Sequence, residues 1–347
     1  MKAAASTLPR SALPLLACPS CRKSLRADAL GALHCDACRV AYPTTNGVTA
    51  LRIAAPEDAV GSRVRGFYAA APFPNYPPRD SWSALRLRAE RSQWAQTLDR
   101  AIAPDARVLE LGCGTGQMAL YLARADRFVV GADFTRASLE LAAAAARRYG
   151  TTRVQFVETD LHSPGLAEGA FDVVYCSGVL HHTPDPAAAF ARIAPLVRPG
   201  GVLVVGLYNV YARLPHRLRR TIARLCGFRF IPFDPVLRDR QAEPARRQAW
   251  LRDQYHHPEE HRHTVAEVRR WFARAGLTFC RTVPESLVAV EPPPDEALFS
   301  PAEDDWGFEA LLAQLGWVRS IAAEGGLFMS IGRRDGAAAN GEERWRS

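Results

Sequence analysis

From Arg107 onward, short β-branched runs alternate with segments of helix length, and few folds satisfy that alternation other than a parallel sheet with helices on both faces. Strands are expected over 107–111, 128–132, 154–158, 171–176 and 202–207, and helices over 115–124, 138–149 and 186–197. Two late runs, 277–283 and 327–333, are expected as an antiparallel closing pair. The fold class is therefore α/β: a doubly wound, mostly parallel seven-stranded sheet with an antiparallel closing strand and helical insertions. Such a sheet binds its ligand at the carboxyl ends of the strands, near the point where strand order reverses. The loops that follow each strand thus carry the chemistry.

The first of these loops is Glu110-Leu111-Gly112-Cys113-Gly114-Thr115-Gly116, a turn whose glycines let the backbone approach a ligand and aim the next helix N-terminus at it. A glycine turn of this kind is shared by dinucleotide enzymes and many tight turns. The next strand ends discriminate. Asp133 closes the second strand and Asp160 follows the third, so three carboxylates, with Glu110, ring one crevice. They would repel a dinucleotide pyrophosphate. S-adenosylmethionine has no phosphate; its sulfonium and amino groups are cationic and its ribose hydroxyls are donors to a carboxylate, so it matches the charge pattern. Either aspartate has an alternative use as a helix cap.

The ordered set VLELGCGTG, VVGADFT, VQFVETDL, FDVVYCSGVLHHTPDP and LVRPGGVLVVGLYN resembles the successive motifs of the class I S-adenosylmethionine-dependent methyltransferases. The resemblance spans residues 106–209 and implies a Rossmann-like sheet and methyl transfer. It implies that Gly112, Gly114 and Gly116, in the turn that also holds Glu110 and Cys113, approach the methionine portion. By the same resemblance Asp133 holds the ribose hydroxyls, Phe134 flanks adenine, Asp160 and the Leu161 amide read the adenine edge, and Ser177 lies near the methionine or methyl group.

Ahead of the sheet, Cys18-Pro-Ser-Cys21 and Cys35-Asp-Ala-Cys38 form two CxxC turns thirteen residues apart. Each turn points two thiolates at one ion, and together they complete a closed tetrahedral zinc shell with no open position for substrate. Two disulfides or four idle thiols are the alternatives. So small a segment does not fold without its metal. Residues 13–53 resemble the zinc ribbons related to small methyltransferase-activator proteins, which implies docking or scaffolding and no chemistry of its own. Loss of zinc is expected to disorder the ribbon and spare the sheet domain. The other cysteines, Cys113, Cys176, Cys226 and Cys280, are expected in the core.

Leu15-Leu16-Ala17-Cys18 imitates a lipoprotein cleavage box, but Pro9, Arg10, Ser11 and Pro14 interrupt the apolar stretch before it, so a cytoplasmic protein is expected. The expected organisation is a disordered leader (1–14), the ribbon (15–56), a linker and lid (57–105), the methyltransferase domain (106–335) and a disordered tail (336–347). Within the domain, 208–263 is read as a helical insertion and 284–326 as a second one. No apolar run reaches the ~18–20 residues that cross hydrocarbon, and no membrane partner is expected.

Methyl transfer is an in-line displacement, and a base is needed only where the acceptor enters protonated. His181 and His182 follow the fourth strand and are the candidate bases, with loop shaping as the alternative. Tyr68, Tyr208, Tyr255 and His257 are the candidate substrate contacts. The insertion is dense in arginine, from Arg213 to Arg252, which suits an anionic small-molecule acceptor, an RNA base as the runner-up, or simply a solvated face. His257, Glu260 and His261 invite a second metal site. The net charge of +8 does not choose among these, because lysine occurs only at positions 2 and 23 and the basic charge is a general arginine bias. A cofactor-binding regulatory protein without turnover is the third reading; the oligomeric state is open.

Overall fold

The computed structural model describes residues 8–29, 31–53, 59–70, 80–238, 244–257, 259–284, 298–301, 307–321 and 325–336. The Phe73–Tyr76 part of the expected lid and the expected tail beyond Gly336 lie outside these residues. The expected leader is structured in its second half: Ala12 is buried and Leu13–Leu15 forms a 3-10 turn packed on the core.

Among the described residues, twelve strands build two sheets. β1 (Arg26–Ala27), β2 (Leu33–Cys35) and β3 (Val40–Tyr42) form a small antiparallel sheet in the ribbon. The large sheet contains β4 (Thr44–Thr45), β5 (Val48–Ala50), β6 (Arg107–Leu111), β7 (Phe128–Asp133), β8 (Val154–Glu158), β9 (Phe171–Ser177), β10 (Val197–Tyr208), β11 (Leu277–Val283) and β12 (Leu327–Arg334). Its order is β11-β12-β10-β9-β6-β7-β8-β5-β4. All seven expected strands are present, and only β12 runs against the rest of them: it is antiparallel to both β10 and β11. Strand order reverses between β6 and β9, where the ends of the central strands open a crevice. β7 is buried at all six positions, as a strand covered on both faces must be.

Two strands were not expected in this sheet. The β4–β5 hairpin belongs to the ribbon end of the chain, yet β5 pairs parallel to β8, with Val48 opposite Phe156 and Ala50 opposite Glu158. The edge of β8 is thereby covered and not left as an open template. Leu15, Leu16, Leu33 and Tyr42 of the ribbon also share one apolar cluster with Leu109, Leu111, Val130 and Val174 of the sheet. The two parts therefore share a core.

Local chemistry moves some boundaries. The first helix of the domain spans Gln117–Leu122 and not 115–124, because Gly116 precedes it in the left-handed region at φ 75°. The helix after β9 stops at Ile193, and β10 starts at Val197, with its register interrupted between Val197 and Val202 around Pro199-Gly200-Gly201. Thr264 caps the Val265–Arg274 helix by accepting from the Glu267 amide at 3.2 Å.

Candidate active site

A cavity of about 610 Å³ opens over the carboxyl ends of β6 to β9. Gly112 and Gly114 form its floor, and both have positive φ. A Cβ at Gly112 would lie 2.1 Å from Val179 Cγ2, so no other residue fits there. Asp133 is fixed at the wall by two backbone donors: the Gly114 amide donates to Oδ2 at 2.9 Å and the Thr135 amide to Oδ1 at 2.7 Å. Asp160 accepts from the His162 amide at 2.7 Å, and Leu161 and Phe134 stand beside the two aspartates. Glu110, Cys113 and Ser177 complete this part of the wall.

Electrostatics at this wall favour a cationic or donor-rich ligand. Glu110 Oε2 is buried with no hydrogen-bond partner. Burial, with the Asp133 charge added, pushes the Glu110 carboxyl up to about 8, and burial also raises Asp133. Burial lifts the Cys113 thiol far above the ordinary range, so it faces the cavity as a neutral group. A ligand bringing positive charge or N–H and O–H donors would partner Glu110 Oε2 and offset the burial that raises both carboxyls. Gly116 differs from its two neighbours. It does not line the cavity, and a Cβ there would meet Ala142 and Phe156 at 2.8 Å, so this glycine serves helix packing and not ligand approach.

The two histidines divide. His182 lines the cavity; its Nδ1 donates to the Glu259 carbonyl at 2.7 Å, which leaves the ring's acceptor lone pair on Nε2. Burial lowers it to about 4, against a weaker opposing pull from the Glu259 carbonyl and the Glu260 charge. His181 points away. It is wholly buried against the Tyr208 ring, 4.0 Å between centroids, and neither ring nitrogen has a hydrogen-bond partner. Burial drives its pKa well below the usual value, and it does not reach the cavity wall.

Tyr68 and Tyr208 are at the wall, whereas Tyr255 and His257 are not. The Tyr255 hydroxyl donates to Asp234 at 2.6 Å, and His257 backs the wall by stacking on His182. Trp250 and Gln254, which the sequence reading missed, take their place. Their i, i+4 spacing on the Pro244–His256 helix was the available signal, but it does not say which face turns inward. Val64, Leu85 and Leu327 add apolar wall.

Among the described residues, no arginine of the insertion lines the cavity; the arginine at its wall is Arg88, which pairs with Asp80 at 2.7 Å. Arg213 is fully buried. It forks onto Glu260 at 2.9 and 3.3 Å, donates to Gln254 Oε1 at 2.5 Å and to the Gly325 carbonyl at 2.9 Å, and lies 3.8 Å over the Tyr208 ring. Burial alone would raise Glu260, but the hydrogen bonds and charge of Arg213 hold it at about 2. This pairing also corrects the idea of a second metal site. Glu260 is committed to Arg213 and Arg220, and among the described residues the one cluster of metal-binding side chains is the cysteine quartet.

In that quartet the ligand atoms of Cys18, Cys21, Cys35 and Cys38 all lie within 4.8 Å of one another. Cys18 and Cys38 sulfurs are 3.9 Å apart and those of Cys21 and Cys35 3.5 Å, close to the ~3.8 Å edge of a zinc–thiolate tetrahedron. All are free thiols, so the disulfide alternative falls. Three of the remaining cysteines are buried as expected, but Cys226 is exposed. The metal knuckle leans on the cofactor side of the sheet: Ala17 donates to the Gly165 carbonyl at 3.2 Å, Ala167 to Leu15 at 2.9 Å, and Gly165 to Thr159 Oγ1 at 2.8 Å. The backbone beside Cys18 is thus tied to the loop carrying Asp160.

Residues 109–205 match the family model of the methyltransferase domain, and residues 11–47 that of the Trm112p-like proteins. Residues 109–205 form a methyltransferase domain. The methyltransferase domain supplies the glycine turn, the aspartates and His182, while the roof residues Tyr68, Trp250 and Gln254 lie outside it. The chain is 30% identical over 258 residues to the uncharacterized protein syc1184_c of Synechococcus sp., an overlap of 65% of this chain and 61% of that one. It is 38% identical over 110 residues to the ubiquinone biosynthesis O-methyltransferase of Paracidovorax citrulli, covering 31% of this chain and 45% of the relative. The chain thus spans less than two thirds of the length of these relatives. Among solved structures, magnesium protoporphyrin IX methyltransferase of Synechocystis aligns with 82% of this chain and 100% of its own, at 15% identity and a TM-score of 0.45.

Proposed function

We propose that the chain is a cytoplasmic enzyme that transfers a methyl group from S-adenosylmethionine to a small-molecule acceptor. The observation that carries this reading is the ring of Glu110, Asp133 and Asp160 around the Gly112–Gly114 turn, with Glu110 Oε2 buried and unpartnered. When bound, the cofactor supplies a methyl group already activated by its sulfonium. Asp133 takes the ribose hydroxyls, Asp160 and the Leu161 amide the adenine edge, Phe134 an adenine face, and the glycine backbone with Ser177 the methionine end. The ribbon holds the Asp160 loop in place through Ala17 and Leu15. The free thiols of the quartet suit a reducing compartment.

Positioning can supply ~7–11 kcal/mol of the barrier if acceptor, methyl and sulfur are aligned and water is kept out. Tyr68, Trp250 and Tyr208 line the cavity and offer aromatic surface for this. His182, neutral and with its lone pair on Nε2, takes the proton of a hydroxyl acceptor as that proton becomes acidic during methyl transfer. The wall offers Val64, Leu85, Trp250 and Leu327 to the acceptor, and none of the described insertion arginines lines it, so the acceptor has a largely apolar body. The test is labelled methyl transfer into fractionated cell extract, with products separated by size and nuclease sensitivity. Label in small, nuclease-resistant material is expected. Label in nuclease-sensitive material would establish the RNA reading instead, and cofactor binding without transfer the regulatory one.

A further inference from the structure

We infer that the outward face of the Leu214–Leu225 helix docks on an anionic lipid bilayer. On a helical projection Leu214, Leu218 and Leu225 fall within about 40° of arc. They are exposed by 46%, 64% and 83%. The exposed Arg217 and Arg224 flank this stripe on one side. Beyond the helix, Phe230 and Phe233 are exposed by 59% and 74%, with the exposed Arg229 beside Phe230. Leucines bordered by arginines are the composition of a helix lying in the membrane interface, where apolar side chains enter the acyl boundary and guanidinium groups remain at the phosphates.

The opposite face of the helix is anchored. His216 and Ala223 are buried; His216 Nε2 meets the Gln254 carbonyl at 2.9 Å, and Arg220 donates to the His257 carbonyl at 2.8 Å. The leucine stripe is therefore held outward by the helix that contributes Trp250 and Gln254 to the cavity. The charge on the stripe's borders selects its occupant. A second copy across a two-fold axis would set Arg217 and Arg224 against their own kind. Nucleic acid would leave the leucines facing a polar backbone. Anionic headgroups satisfy both parts of the surface at once. The absence of a spanning helix among the described residues is no objection, since a helix of this kind lies on the membrane and does not cross it. The inference stands on the surface alone and does not require the proposed methyl transfer.

The test is sedimentation of the full, zinc-loaded chain with vesicles of phosphatidylcholine, with and without phosphatidylglycerol. Binding to the anionic vesicles only, weakening with salt, is expected. The double variant Leu218→Asp, Leu225→Asp should bind at least about tenfold more weakly. In Arg217→Gln, Arg224→Gln the loss should be about fivefold per arginine. All four positions are exposed, so unchanged melting curves will show that the fold is intact. No sedimentation with either vesicle, equal binding to both, or binding that neither variant weakens would overturn the inference. So would a lipid-free dimer that the aspartate variant dissociates, which would assign the face to a second copy.

Discussion

The His182 and His257 imidazoles stack with their centroids 3.6 Å apart and their planes 30° from parallel, and the Glu259 carbonyl lies 2.7 Å from one Nδ1 and 2.6 Å from the other. One ring faces the cavity and the other holds it there. His182→Ala is expected to lower kcat by ~10²–10⁴ while leaving the calorimetric affinity for S-adenosylmethionine unchanged. His257→Phe, which keeps a ring to stack on, should retain most of the activity. Equal losses in the two variants would show that the pair matters as packing and not as a base.

The same burial links His182 to acid stability. Its pKa is lowered from 6.5 to about 4, so between those values the unfolded chain binds the proton that the folded chain refuses. The stabilisation is complete above pH 6.5 and is lost as pH falls toward 4. Relative to pH above 6.5, the loss at His182 grows to about 3 kcal/mol once the pH is below 4. His216, lowered to about 3 chiefly by burial, acts in the same direction. Urea midpoints measured from pH 7 down to 4.5 should fall, and His182→Gln should flatten the slope. A midpoint that rises on acidification would contradict the burial of these rings.

Elemental analysis of chelator-washed protein should return one zinc per chain, lost in Cys35→Ser. Because ribbon and sheet share a core and the Ala17–Gly165 contact reaches the Asp160 loop, zinc loss should also weaken cofactor binding by about 1–2 kcal/mol, the worth of one or two hydrogen bonds. Calorimetric unfolding should show one transition. Two transitions, one of them insensitive to zinc, would mean that the ribbon folds apart from the sheet.

Asp133→Ala should weaken S-adenosylmethionine binding by ~1.5–3 kcal/mol by calorimetry. Its carboxylate also receives the Gly114 and Thr135 amides, so a fall in melting temperature should accompany the loss. Unchanged affinity, or tighter binding of a nicotinamide dinucleotide, would reject the assignment of the cofactor.

Two glycines separate backbone conformation from space. Gly178 has φ 75° and open surroundings, so Gly178→Ala should cost only the left-handed conformation, about 1 kcal/mol. Gly116 has the same φ, but its Cβ would meet Ala142 and Phe156 at 2.8 Å, so Gly116→Ala should cost about 2–4 kcal/mol. Thermal unfolding of the two variants would show the difference; equal losses would mean that the helix has room to shift.

The glycine turn, Asp133, Asp160 and the four cysteines were legible because each sits within a few residues of the strand end or knuckle that aims it. Strand periodicity then fixes direction, and local spacing fixes position. The seven core strands were legible for the same reason. What lay beyond the sequence depended on contacts between distant segments. Arg213 reads as one more surface arginine, yet it is buried because Glu260, forty-seven positions later, forks onto it. Tyr255 reads as a substrate contact and instead faces Asp234, while Trp250 and Gln254 on the same helix face the cavity. A helix's periodicity defines its faces but not which of them turns inward. The β4–β5 hairpin joined the large sheet because β8 offered an open edge at the right distance, and an edge exists only once the sheet has formed.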